Sequence, residues 1–250
     1  MTQPRFGRTM TASLLRPFAE QLMAVLRVPP SATVCELLSD SGELSRSLAG
    51  AIGPGGTLIL TETDPELLEA GASRAGGLCA VQSTVINGGT LDLDDGTCDR
   101  VASLLTLGGR DAESLLSEAR RVLRDGGIAA LVVWDGGVPP AHVSAMSRAL
   151  RDEVGYASPF LQRLSGPICA PGFSVTELHD VARFDGVRHL WVAFIEEGRL
   201  GGELGHLSAE QHAAVRRRFE DSLAEYAAAD GTLRLPVAAR LLRLSSDSRS

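Results

Sequence analysis

The chain has 250 residues, of which 44% are hydrophobic, enough for one large domain with a buried core. Its formal net charge of −7 offers no basic surface for a nucleic acid. All 24 basic residues are arginine, which excludes a Schiff-base lysine and the phosphate-binding lysine of a P-loop. The four cysteines form no CxxC pair, and no apolar run reaches the length of a membrane span. We therefore expect a cytoplasmic protein that binds neither nucleic acid nor membrane and holds no metal.

The first half of the chain alternates between short apolar runs and helical periods. The first helix, at 13–26, ends at a pair of prolines. Strands are then predicted at 32–38, 57–62, 79–84, 99–106 and 128–134, with helices at 43–52, from Asp64, and at 112–124. Alternation of strands and helices with short connections predicts an α/β fold with a doubly wound, mostly parallel sheet.

The rhythm changes beyond residue 137. Helices are predicted at 140–155, at 187–198 and from a capping box at Ser208, and longer strands at 173–184 and 232–244. We divide the chain into an N-terminal helical cap segment (1–30), a Rossmann-like core (31–136), a C-terminal part that completes the sheet and carries an inserted helical cap (137–245), and a disordered tail (246–250).

Polar side chains follow the first two predicted strands. In an open parallel sheet, ligands bind beyond the carboxyl ends of the strands. The loop after the first strand begins with Glu36 and runs to Gly42, and Glu62 ends the second strand. An acid at that second position is suited to bind the hydroxyl groups of a ribose. The sequence therefore predicts a nucleotide-type site at this edge.

Three segments carry a family resemblance. They are VCELLSDSGELSRSLAGAIGPGGTLILTETDPELLEAG, DLDDGTCDRVASLLTLG and EARRVLRDGGIAALVVW, in that order along the chain. Together they resemble the class I methyltransferases that use S-adenosylmethionine (SAM), in the small-molecule branch related to quinone-biosynthesis methyltransferases. The resemblance implies a seven-stranded Rossmann-like sheet with an antiparallel C-terminal strand and a small helical cap. It also implies SAM as the cofactor and a small-molecule substrate.

The SAM-binding loop departs from the family pattern, which reads acid-x-Gly-x-Gly-x-Gly. Here Glu36 is the acid and Gly42 the last glycine, but Leu38 and Asp40 stand at the other two glycine positions. A side chain at such a position occupies space that a glycine leaves open to the ligand. The carboxylate of Asp40 would also lie unfavourably close to the carboxylate of SAM. The motif is therefore degenerate.

The remaining site positions follow from the same resemblance. The acid that the family carries after its third strand is replaced by Gln82-Ser83-Thr84. Among the five histidines, His142 just beyond the fifth strand is the candidate catalytic base, since histidine titrates near neutral pH. The predicted cofactor-binding residues are Glu36, Leu38, Asp40, Gly42, Glu62, Thr63, Thr84 and Leu104.

Three functions are consistent with these features. The first is methyl transfer from SAM to an apolar or aromatic metabolite of small-molecule, secondary metabolism, which needs mainly proximity and orientation from the protein. The second is a SAM-independent enzyme derived from a methyltransferase, such as a cyclase or rearrangement catalyst. The third is a non-catalytic partner in a heteromer with an active homologue. A homodimer is the other assembly that we expect.

Overall fold

The computed structural model describes residues 14–246, with gaps at 41, 88, 109–111, 135–138, 165–167, 193–194 and 196–198. The predicted tail from 247 onward and the first 13 residues of the predicted N-terminal cap lie outside the described residues. The helices are α1 (Arg16–Leu26), α2 (Glu43–Ile52), α3 (Pro65–Ala75), α4 (Ala112–Val122), α5 (Ala141–Val154), α6 (Pro159–Arg163), α7 (Val187–Trp191), α8 (Arg199–Leu204) and α9 (Ala209–Ser222). The strands are β1 (Thr33–Glu36), β2 (Thr57–Glu62), β3 (Ala80–Val85), β4 (Cys98–Leu104), β5 (Leu123–Trp134), β6 (Ser174–Phe184) and β7 (Leu233–Ser245).

Local signals in the sequence fix the start of two of these helices. The side chain of Asp64 accepts a hydrogen bond from the backbone N–H of Glu66 at 2.9 Å, which caps α3. Ser208 and Gln211 form the predicted capping box at the start of α9. Both helix starts are therefore confirmed.

β5 begins at Leu123, five residues before its predicted start at 128, and α4 ends correspondingly at Val122. The cause is a tertiary contact. The N–H of Gly126 donates to the carbonyl of Ser246 at 2.9 Å, and the N–H of Ser246 donates to the carbonyl of Gly127 at 3.1 Å. These bonds to the residue that follows β7 hold residues 123–127 in extended form, so the helix predicted to continue to 124 ends at Val122.

The strands form one seven-stranded sheet in the order β3-β2-β1-β4-β5-β7-β6. β1 pairs in parallel with β2 on one side and with β4 on the other, so the strand order reverses between β1 and β4. The sheet is mixed, with an antiparallel C-terminal strand and flanking helices, which confirms the predicted class I methyltransferase fold. The reversal of strand order marks the place where open α/β sheets bind ligands.

The chain divides into two compact units. The sheet unit contains residues 18–133, 168–178 and those from 239 onward, and the helical unit contains residues up to 17, 134–167 and 179–238. In the sheet unit, α4 contributes Leu116 and Ala119 to the same buried cluster as Val101 of β4 and Leu131 of β5. The predicted domain limits stay predictions.

The helical unit has aromatic packing of its own. The ring of Trp191 in α7 lies 5.8 Å from the ring of Phe219 in α9, and the guanidinium of Arg216 lies over the Trp191 ring at 5.8 Å. No helix in the described part of the chain is long and apolar enough to cross a membrane.

Candidate functional site

The loop between β1 and α2 has an unusual backbone. Leu38, Asp40 and Gly42 all have positive φ, at 55°, 47° and 79°. These are the three positions at which the methyltransferase pattern has glycine. A left-handed conformation costs a residue with a side chain about 1–2 kcal/mol. The loop therefore follows a path that glycine favours, although two of the three residues are not glycine.

Gly42 allows a close approach between the loop and α3. A Cβ atom added to Gly42 would lie 2.5 Å from the Cα atom of Gly71, which is closer than such atoms pack. Gly42 is also buried and left-handed. Its absent side chain therefore serves both the local conformation and the contact with α3.

Side chains from the two neighbouring strands are bonded to the loop. The hydroxyl of Thr61 in β2 donates to the carbonyl of Glu36 at 3.1 Å and accepts from the N–H of Leu38 at 3.3 Å. The N–H of Ser39 donates to the carbonyl of Thr61 at 3.0 Å. From β4, the hydroxyl of Ser103 donates to the carbonyl of Leu37 at 2.9 Å. The loop is thus held from both sides of β1.

Glu62, at the end of β2, is fully buried and also bonds to the loop. Its Oε2 accepts the N–H of Asp40 at 2.9 Å, and its Oε1 accepts the N–H and the hydroxyl of Thr63 at 2.7 Å and 3.1 Å. The structure therefore brings together three of the predicted cofactor-binding residues.

Glu36 has a different environment. Its side chain is 2% exposed and accepts a hydrogen bond from the hydroxyl of Ser45 in α2 at 2.6 Å. Burial raises the pKa of Glu36 to about 8; the Ser45 hydrogen bond opposes this rise, and the charges of Asp40 and Glu62 add to it. Glu36 is therefore mainly a neutral acid at pH 7.

Thr84 and Leu104 lie near the carboxyl ends of β3 and β4, the strands next to β2 and β1 in the sheet. Thr84 of β3 is the register partner of Thr61, and Leu104 is buried at the end of β4. The next residue, Leu105, has a φ of 58°. Three of the five non-glycine residues with positive φ in the described chain, Leu38, Asp40 and Leu105, thus lie at the carboxyl ends of β1 and β4. Backbone strain of this kind clusters at functional sites.

His142, the predicted base, belongs to the helical unit, where it lies in the first turn of α5. It is 1% exposed, and its ring lies 6.4 Å from the ring of Trp134 in an edge-to-face arrangement. Burial lowers the pKa of His142 to about 4, so the imidazole is neutral at pH 7. Since a general base works best when its pKa is near the working pH, His142 is a weak base. Its catalytic role stays a prediction.

The sequence analysis missed Ser45, Thr61 and Ser103, the hydroxyl groups that bond to the loop and to Glu36. A signal for two of them was present, because Thr61 and Ser103 are polar residues near the ends of otherwise apolar strands. A hydroxyl in a buried strand usually has a hydrogen-bond partner, and here the partners are in the loop.

Two charged residues of α4 have a structural role. Glu118 accepts the N–H of Leu91 at 2.8 Å, and Arg121 bonds to Glu118, to the carbonyls of Leu91 and Leu93, and to Asp95. Together they hold the segment before β4. In the described part of the chain, no group of three or more histidine, cysteine or acidic side chains could hold a metal ion.

Comparison with known proteins agrees with this geometry. Residues 36–131 match the methyltransferase domain family. UbiE of Acidiphilium cryptum, a ubiquinone/menaquinone biosynthesis C-methyltransferase, is 29% identical over 123 residues, which cover 47% of this chain and 48% of that protein. An uncharacterized 37.1 kDa protein in transposon TN4556 of Streptomyces fradiae is 31% identical over 119 residues, which cover 47% of this chain and 34% of that protein. The chain thus spans less than half the length of these curated relatives.

The fold comparison extends over most of the chain. The crystal structure of a proposed methyltransferase from Bacillus halodurans matches with a TM-score of 0.56 at 14% identity, covering 92% of this chain and 99% of that one. The chain therefore has the fold of the class I methyltransferases, the fold that its motifs implied, and its residues 36–131 match a methyltransferase domain.

Proposed function

We propose that this protein transfers a methyl group from SAM to a small apolar or aromatic metabolite. The observation that carries the proposal is the backbone of the 36–42 loop, which remains left-handed at Leu38 and Asp40 although neither is glycine. Such strain persists only where the surrounding structure holds it, and it clusters where a ligand binds. The similarity to a quinone-biosynthesis C-methyltransferase supports the same class of substrate.

The residues at the carboxyl ends of β1 and β2 fit SAM. Glu62 would accept hydrogen bonds from the ribose hydroxyls. Leu38 packs against the buried cluster of the sheet unit, so part of its side chain is accommodated in the core. The cofactor supplies an electrophilic methyl group on a sulfonium, and the protein's part is to hold the two reactants close and aligned.

We keep the other predicted site residues in this proposal. Thr63, Thr84 and Leu104 would border the cofactor, and His142 would be the base in the helical unit. A base with a low pKa is suited to an acceptor that ionises readily, such as an acidic phenol or an activated carbon. We also retain the cytoplasm as the proposed location and a homodimer as the proposed assembly.

The alternatives predict a different loop. A cyclase derived from this fold, or a non-catalytic partner of an active homologue, has no use for a strained cofactor loop, and mutation would be free to relax it. The retained left-handed path therefore favours the methyltransferase.

The proposal is tested by SAM binding to purified protein, measured by calorimetry and thermal unfolding. A ligand at 100 times its dissociation constant stabilises the folded state by about 2.7 kcal/mol, so saturating SAM should raise the melting temperature measurably. The variant Glu62→Gln should bind more weakly, because a ribose hydroxyl then loses a charged acceptor. Absence of heat and of stabilisation at millimolar SAM would exclude cofactor binding.

Methyl transfer is measured separately, with SAM labelled in the methyl group and a panel of phenols and quinols. We expect label in an organic product. SAM binding without transfer to any acceptor of the panel would support the non-catalytic alternative instead.

A further inference from the structure

Glycine adopts left-handed φ values freely, whereas leucine and aspartate resist them. In this loop Leu38 and Asp40 hold such values, and each has a backbone N–H bonded to a side chain at the end of β2. Other contacts must therefore stabilise the left-handed backbone at the two positions where glycine is absent.

We propose that Thr61 and Glu62 are positioning residues that hold the 36–42 loop in the path required for cofactor binding, and so compensate for the missing glycines. The inference deepens the proposed function and rests on it, because it concerns the loop assigned to SAM.

Thr61 acts at the first absent glycine. Its hydroxyl lies between the carbonyl of Glu36 and the N–H of Leu38, so one oxygen fixes the peptide groups before and after Leu37. The next amide, that of Ser39, is held by the Thr61 carbonyl. Thr61 is 1% exposed, so water does not readily take over these bonds. Three hydrogen bonds to Thr61 thus constrain the backbone on both sides of Leu38.

Glu62 acts at the second absent glycine. Its Oε2 accepts the N–H of Asp40, and Oε1 is kept in place by Thr63. Hydrogen bonds to a carboxylate are stronger than those between neutral groups. Asp40 is thereby held with its amide towards β2, while its backbone has a left-handed φ of 47°.

If the side chains of Thr61 and Glu62 compensate for the missing glycines, then the hydrogen bonds from β2 or the glycines should each be sufficient to hold the loop in its left-handed path. The bond from Thr61 should matter greatly when residue 38 is leucine and little when it is glycine. Thermodynamic coupling of this kind is measured by a double-mutant cycle.

The cycle uses Thr61→Val, Leu38→Gly and the double variant, with SAM affinity and hydrogen exchange of the 36–42 amides as readouts. We expect Thr61→Val to weaken SAM binding about tenfold or more and to accelerate exchange in the loop. In the Leu38→Gly background the same substitution should change affinity by less than about threefold. Thr61→Ser keeps the hydroxyl and should bind SAM as the unmodified protein does.

The matched control is Thr57→Val, the same substitution at the other end of β2, where no effect on the loop is expected. A Thr61→Val defect of equal size in both backgrounds would overturn the proposal, since it would reflect a general loss of stability. A Thr61→Ser variant as defective as Thr61→Val would overturn it as well.

A second cycle covers the case in which Thr61→Val does not fold. It pairs Glu62→Ala with Asp40→Gly and reads exchange at residues 39–42. Glu62→Ala should accelerate exchange of these amides when residue 40 is aspartate and have little effect when residue 40 is glycine. Equal acceleration in both backgrounds would contradict the inference. Because exchange needs no ligand, failure of the wild-type chain to bind SAM would refute the proposed function and leave this test intact.

Discussion

Replacing Glu36 with glutamine should make the protein more stable, and increasingly so as the pH rises. In the folded state burial raises the pKa of Glu36 to about 8, whereas the ordinary value is 4.5. Between these two values the folded chain holds a proton that the unfolded chain has released. The free energy of unfolding of the wild type therefore falls as the pH rises from 4.5 to about 8, and the contribution of the neutral acid is complete only below 4.5.

The size of the effect follows from the same values. Each unit of pKa difference corresponds to about 1.36 kcal/mol, so the wild type loses roughly 3 kcal/mol by pH 7 and at most roughly 5 kcal/mol above pH 8. Glutamine is neutral at every pH, is close to isosteric, and offers its amide oxygen to the Ser45 hydroxyl that now bonds to Glu36 at 2.6 Å. The two proteins should thus be similarly stable at pH 5 and diverge above it.

The assay is denaturant unfolding of both proteins at pH 5, 6, 7 and 8, with Glu69→Gln as a control for the loss of an exposed carboxylate. If the unfolding free energies of Glu36→Gln and of the wild type stay parallel across this range, then Glu36 is not a buried acid that remains protonated at neutral pH. A variant that becomes less stable than the wild type as the pH rises would also refute this prediction, because that result requires an ionised and favourably bonded Glu36.

Two further predictions concern stability. Gly42→Ala should lower the free energy of unfolding by about 2–4 kcal/mol, from left-handed strain and from overpacking against Gly71, as measured by denaturant unfolding. Gly155→Ala is the matched control, because Gly155 is also left-handed (φ 66°, ψ 20°) but has no atom near its Cβ position, and an equal loss in both variants would contradict the packing argument. Arg121→Met should cost about 1–3 kcal/mol and expose the amides of residues 91–95 to exchange, since it removes the partner of Glu118 and of two carbonyls. Unchanged protection of that segment would show that Arg121 does not hold it.

The sequence by itself determined the architecture. Strand–helix alternation predicted the doubly wound sheet, and the strand order confirms it. The starts of α3 and α9 followed from Asp64 and from the capping box at Ser208, because a helix cap is a contact among residues two or three positions apart. The motifs located the 36–42 loop and the acid that ends β2 for the same reason, since each is a short segment whose pattern is local.

Only the tertiary structure decided what the altered loop does. From the sequence, Leu38 and Asp40 were replacements of glycine; the fold shows that both remain left-handed, held by β2 residues 22 and 23 positions away. The early start of β5 depends on Ser246, far along the chain. The protonation of Glu36 depends on its burial beside Ser45 and near two other carboxyl groups. Strain, burial and charge at a site are sums over neighbours in space, and a local pattern in the sequence does not contain those neighbours.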